Sequence, residues 1–278
     1  MAVTPFNPTP AVGAAFIGRE GLVKNLCGRI ARNESLAMIG GPKLGKTSLV
    51  RTALQELPER RVLEVDLGVH PSPSIDAVPR AIVVLDNLDA VAASEIEPLL
   101  ARVSAAGPAG IVATGGRRLR TLLGRSGSVS GVSFRLFPLS VLLDGETQRL
   151  IGKDTYPSLT AWSGNHPYLT KLLLHYLEKS GGCTTPEEAV AMSRHEWEPF
   201  VRRLSDEIGE GPERRLLLYL IEQDKPVNPT LAQSETGIEE IKPVADTLTY
   251  LGAIQRWVRN EEATLFAGCR LFNDFITA

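Results

Sequence analysis

The sequence predicts an α/β protein: a five-stranded parallel P-loop sheet with helices on both faces, then a wholly helical unit, then a winged helix. Three observations carry this reading. Strand and helix patterns alternate five times between Leu36 and Leu136. The first strand runs into Gly40 to Thr47, which fits GxxxxGK[ST], and a helical stretch follows. After Pro138 the apolar period is helical throughout, until a tail from Gly211 reads as three helices and a hairpin.

The element order follows from local patterns. Residues 1–15, with prolines at 5, 8 and 10, read as an extended arm. Leu22, Val23, Leu26 and Ile30 set a helix that ends near Asn33. Leu36 to Ile39 is a buried strand, Ser48 to Glu56 a helix stopped by Pro58, and Arg61 to Leu67 alternates as the second strand. Ala81 to Leu85 is continuous and branched, as a strand buried on both faces should be. Only thirteen residues, Gly68 to Arg80 with three prolines, join these two strands, so the crossover has one turn of helix or none. A helix from Val91 to Ala105, a strand at Gly110 to Thr114, a basic helix from Arg117 to Leu123 and a fifth strand, Val132 to Leu136, complete the segment.

Helices are expected near 145–152, 157–164, 167–179 and 186–204. In the tail they are expected over Arg214 to Gln223, Pro229 to Thr236 and Ile238 to Leu251, with strands at Ala253 to Val258 and Thr264 to Ala267. The predicted divisions are 1–15 arm, 16–137 P-loop core, 138–208 helical unit and 209–278 winged helix.

Composition bounds the function. At 278 residues, 43% hydrophobic and 22% charged with a net charge of -2, the chain reads as a globular protein of the cytoplasm without general attraction to nucleic acid or anionic membrane. Cys27, Cys183 and Cys269 have no CxxC spacing, which argues against a disulfide framework or a zinc site. No apolar run approaches the ~20 residues of a membrane span.

The loop carries the chemistry. Gly40, Gly41 and Gly45 let the backbone of Gly40-Gly41-Pro42-Lys43-Leu44-Gly45 turn its N–H groups toward an anion, and the helix beginning at Ser48 adds its positive end. Lys46 is placed to reach terminal phosphates and Thr47 to offer its hydroxyl to Mg2+. Asp86, ending the third strand beside the P-loop strand, is the candidate magnesium aspartate, with helix capping as the alternative. Asp89 is left to cap the next helix or orient water. Asn87 stands where a glutamate base often follows that aspartate, and it cannot take a proton, so hydrolysis should be slow or assisted. Arg117 or Arg118, past the fourth strand, suits a γ-phosphate oxygen, and Arg125 a neighbouring subunit's nucleotide. His166 either caps a helix or meets the base; Trp162, Trp197 and Trp257 are expected in the core.

Taken in this order, the parts resemble the STAND and AAA-type P-loop ATPases. Phe16-Ile17-Gly18-Arg19-Glu20 is similar to the hhGRE signature, which in that family lies against adenine. GGPKLGKT resembles Walker A, IVVLDNLD Walker B and IVATGGRR the sensor 1 strand. Phe134 to Leu139 with Glu146 resembles the start of the helical lid, and Gly164-Asn165-His166-Pro167-Tyr168 its GxP turn near the base. The resemblance implies ATP and Mg2+ as cofactors and a nucleotide-dependent switch that acts on an unidentified protein partner, one that could be encoded nearby, or on further copies of itself. No guanine-reading NKxD occurs. Two other functions stay open, a DNA-binding regulator and a non-hydrolysing scaffold. DNA is disfavoured by charge: from Gly211 onward seven Lys or Arg face ten Asp or Glu, a net of -3.

Overall fold

The computed structural model describes residues 9–13, 16–73, 75, 77–124, 126–152, 156–179, 185–259 and 262–278. These form two compact units: Thr9–Gly41 with Gly45–Leu139, and Pro42–Leu44 with Ser140–Ala278.

In the first unit, α1 (Glu20–Ala31) buries Val23, Leu26 and Ile30, one helical stripe. β1 (Leu36–Ile39) is buried at every position. α2 (Lys46–Gln55) follows the loop, and β2 (Val62–Asp66) is only partly covered. β3 (Ile82–Asp86) is fully buried. A 3-10 turn, Leu88–Ala90, precedes α3 (Ala93–Ala105), so the helix starts later than Val91. β4 (Gly110–Gly115) and α4 (Arg117–Leu123) come next.

The sheet order is β2-β3-β4-β1-β7, where β7 is Arg135–Pro138, all parallel. β4 therefore lies between β1 and β3, which corrects the expectation that the magnesium-aspartate strand borders the P-loop strand. Sequence order gives no register, and β4 pairs with both. The fifth strand is also displaced. Val132–Ser133 (β6) pairs antiparallel with Ser128–Val129 (β5) in a small hairpin, and Arg135–Pro138 (β7) joins β1. The apolar run from Val132 to Leu136 spans both pieces, and Gly131 at φ 76 makes the turn. Among the described residues of Gly68 to Arg80 there is no helix, which leaves β2 at an edge with little cover.

In the second unit α5 (Asp144–Ile151), α6 (Tyr156–Ser163) and α7 (Pro167–Lys179) precede α8 (Pro186–Met192) and α9 (Arg194–Ile208). The single helix expected over 186–204 is broken at Ser193, whose hydroxyl donates to the Ala189 carbonyl at 2.7 Å and competes with helix continuation. α9 buries Trp197, Phe200, Val201, Leu204 and Ile208 on one face. α10 (Pro212–Gln223), α11 (Pro229–Thr236) and α12 (Ile241–Leu251) pack with a hairpin of β8 (Gln255–Arg259) and β9 (Glu262–Phe266), the winged-helix arrangement. Asn228 caps α11 by accepting from Thr230 N at 2.8 Å. Val227 bridges Leu265 and ties the hairpin to the α10–α11 connection.

A last helix, α13 (Arg270–Thr277), was not expected; it buries Leu271, Phe272 and Ile276. Trp257 is 39% exposed on the hairpin, against the expectation of a core residue, whereas Trp197 is buried and donates to the Val190 carbonyl at 2.8 Å. Burial pushes the Cys269 thiol up to about 12, so it stays protonated. Cys183, Arg125 and most of the predicted arm lie outside the described residues. Among the described residues no helix is long and apolar enough to cross a membrane.

Candidate nucleotide site

The loop after β1 turns through left-handed backbone at Lys43 (φ 56) and Gly45 (φ 91). Gly40 and Gly41, expected to make the bend, do not have positive φ; they are buried at the strand end instead. Lys46 Nζ donates to the carbonyls of Gly40 at 2.8 Å and Gly41 at 2.7 Å, so its ammonium lies within the turn rather than out in solvent. Arg19 is 4% exposed. A Cβ placed on Gly45 would lie 3.4 Å from its Nη1, so the guanidinium borders the loop. Beside it Gly18 is buried, Phe16 half-buried and Ile17 40% exposed. Ser48 sits half-buried in the first turn of α2.

Asp86 is 2% exposed and joins three elements. Thr47 Oγ1 from α2 donates to its Oδ2 at 2.7 Å, and Thr114 Oγ1 from β4 donates to its Oδ1 at 2.5 Å. Thr114 Oγ1 also accepts from Asn87 N at 3.0 Å. The carboxylate thus reaches the P-loop threonine across the end of β4. The capping alternative for Asp86 does not hold, because α3 begins seven residues later, after Ala92, without a side-chain cap.

Asp89 does not cap α3 either. Its Oδ2 accepts from Gly116 N at the end of β4, and its Oδ1 is buried without a hydrogen-bond partner among the described residues. Arg118 is spent on the same turn, donating to the Asp89 carbonyl at 3.1 Å. Arg117 is exposed at the start of α4.

The remaining predicted residues belong to the second unit. Lys43 Nζ lies 4.1 Å from the Tyr168 ring centroid. Leu44 is fully buried. A Cβ on Gly252 would lie 3.1 Å from Leu44 Cδ2 and 3.3 Å from His166 Cδ2, which places the loop tip and His166 around the end of α12. His166 is buried, with its ring 4.9 Å from that of Phe200. Its carbonyl accepts from Thr170 N at the start of α7, so the backbone and not the imidazole begins that helix. Pro42 and Pro167 are half-buried.

Asp66 was missed by the sequence reading. It ends β2 in register with Asp86, and its Oδ1 accepts from Gly68 N at 2.9 Å and Asn87 Nδ2 at 3.0 Å. The available signal was a carboxylate at the C-terminal end of a parallel strand, the place where such sheets gather their functional groups.

No family model matches the sequence, and no curated protein matches it. Among solved structures, the chain is similar to the Aeropyrum pernix Orc1 protein in complex with DNA, with 14% identity, coverage of 95% of this chain and 93% of that one, and a TM-score of 0.51. It is also similar to a Walker-type ATPase of Pyrococcus abyssi, with 13% identity, coverage of 98% and 99%, and a TM-score of 0.52. The fold is that of the AAA-type P-loop ATPases. Within it, Thr47, Asp86, Thr114 and Asp89 gather where the loop after β1 meets the ends of β3 and β4.

Proposed function

We propose that the chain is an ATP- and Mg2+-binding molecular switch that hydrolyses slowly and couples its nucleotide state to a protein partner or to self-assembly. The observation that carries this reading is the Asp86 carboxylate held between the hydroxyls of Thr47 and Thr114 at the base of the P-loop. Two acceptor oxygens on a fixed carboxylate beside a threonine hydroxyl form the donor set of a hard divalent cation. The orphaned Asp89 Oδ1 adds a buried oxygen with capacity for one more hydrogen bond.

Thr47 and Asp86 would hold Mg2+, directly or through water, and Lys46 would exchange the Gly40 and Gly41 carbonyls for phosphate oxygens. Ser48 and the N–H groups of Gly41 to Thr47 would line the phosphates. Phe16, Ile17, Gly18 and Arg19 would border the base. Asp89 and Arg117 would serve near the γ-phosphate. Held by Thr47 and Asp86, a cation would supply positive charge to offset the negative charge of the phosphates in phosphoryl transfer. Slow turnover follows from Asn87, an amide without basicity at the position after the magnesium aspartate.

Phosphate release from wild type and Lys46→Ala tests the enzymatic part. Wild type should release phosphate slowly and the variant none; equal rates would reject the assignment of the loop, and no release from wild type would favour a nucleotide-stabilised scaffold.

DNA binding is the second reading, favoured by the similarity to an Orc1 structure solved with DNA. The winged helix supports it poorly. Glu239 and Glu240 precede α12, Lys242 is its one lysine or arginine, and Arg256 is paired with Asp246 at 2.8 Å. Submicromolar binding to a labelled duplex at moderate salt would reverse this ranking.

A further inference from the structure

We propose that the outer edge of β2, with the groove beside it, takes up an extended segment of a partner protein as a further strand, one whose side chains alternate apolar and basic. The proposal goes beyond the nucleotide reading and does not depend on it. β2 ends the sheet and pairs on one side alone, with β3. The Arg61 carbonyl accepts from Ile82 N at 2.9 Å and Leu67 N donates to the Asp86 carbonyl at 3.0 Å, so odd-numbered backbone groups turn toward β3. By alternation, the N–H and C=O of Val62 and Glu64 and the N–H of Asp66 turn outward. Among the described residues none of these has a backbone partner; only the Asp66 carbonyl is taken, by Val69 N and His70 N.

Natural sheets blunt such an edge with proline, lysine, a bulge or a covering helix. β2 holds neither proline nor lysine, keeps unbroken register with β3, and is followed by no helix among the described residues before β3. Instead a groove of about 580 Å³ opens along it, lined by Glu64 and Val65 on the strand and by Val69, His70, Pro71 and Pro73 after it. Val62 is 36% and Val69 66% exposed, apolar surface without cover.

The two faces of the strand set the chemistry of the occupant. Val62, Glu64 and Asp66 share one face, and Leu63 and Val65 the other. Glu64 pairs with Arg51 of α2 at 2.5 Å, while Asp66 accepts only from neutral groups, Gly68 N and the Asn87 amide. The first face is therefore acidic on balance. Leu63 and Val65 are half-buried. A strand that fits places basic residues beside Glu64 and Asp66 and apolar, branched residues beside Leu63 and Val65. A second copy of β2 fits poorly, because antiparallel pairing centred on Glu64 sets the two Glu64 side chains opposite each other.

The test uses the full chain without nucleotide and two acetylated, amidated peptides, Val-Lys-Val-Lys-Val and Val-Glu-Val-Glu-Val. Binding is followed by titration and by residue-resolved amide hydrogen exchange, with oligomeric state measured by sedimentation. The lysine peptide should saturate, bind more tightly than the glutamate peptide, and slow exchange of the Val62, Glu64 and Asp66 amides by at least about tenfold. Val62→Pro removes an outward N–H that serves no internal bond, so the melting temperature should hold while the lysine peptide binds at least about tenfold more weakly. Glu64→Lys should reverse the preference and make the glutamate peptide the tighter of the two.

No saturation by the lysine peptide, or saturation without protection of those three amides, would overturn the proposal. Unchanged binding in a folded Val62→Pro variant, or equal affinity of wild type for the two peptides, would do the same. A dimer that forms without peptide and is lost in Val62→Pro would overturn it in favour of a second copy at this edge.

Discussion

β2 and β3 lie side by side, in register, and each ends in an aspartate, yet they are built differently. Every residue of β3 is buried, and Asp86 is 2% exposed between two threonine hydroxyls. β2 is partly exposed along its length, and Asp66 holds a backbone N–H and an amide. The same functional group thus meets two environments. Where desolvation is deep, the carboxylate is fixed by short hydroxyl contacts, and it is the one proposed to serve a cation. At the open edge it is fixed by its own turn and accepts from the Asn87 side-chain amide.

The largest expected effect is at the buried aspartate. Asp86→Ala should weaken Mg·ATP binding by at least about a hundredfold, measured by calorimetry, since it removes a proposed cation partner and strands Thr47. Binding within a few-fold of wild type would erase the contrast between the two aspartates. The strands themselves should differ next. Leu85→Ala in β3 should cost about 2–5 kcal/mol in denaturant unfolding, whereas Val62→Ala in β2 should stay within about 0.5 kcal/mol. Equal losses would mean that β2 is covered in solution.

Thr114→Val keeps the shape of β4 but leaves Asn87 N–H without its acceptor and Asp86 Oδ1 without its donor, at about 1–3 kcal/mol. The smallest effect lies away from the sheet. Cys269 ionises near 9.0 when unfolded and near 12 when buried, so the unfolded chain gives up its proton first. Its contribution is complete below pH 9 and declines as pH rises toward 12. Melting curves of wild type and Cys269→Ala should therefore keep a constant separation up to pH 9 and converge above it.

Much of this architecture was legible in the sequence because the signals are local. Helical stripes such as Trp197, Phe200, Val201 and Leu204, the cap at Asn228 and the glycines after α11 and α12 act over a few residues. The GxxxxGKT spacing located the loop, and the run from Ile82 to Asp86 announced a buried strand. Register was not legible. Nothing near Asp86 says that β4 separates it from β1, and nothing near Asn87 says that Asp66 is its partner 21 positions away. Asp89 misled because an acid before a helix reads as a cap, whereas tertiary pairing turns it toward Gly116. The α13 helix was passed over because Gly268 and a short run gave no start signal; Cys269 precedes it without a side-chain cap.

The central claim is that the loop after β1, with Thr47 and Asp86, holds Mg2+ and a nucleoside triphosphate. Titration of Mg·ATP into the full chain, followed by calorimetry and by melting temperature, tests it most directly. A saturable heat and a raised melting temperature, both lost in Lys46→Ala, are the predicted result; no heat and an unchanged melting temperature with either Mg·ATP or Mg·GTP would contradict it.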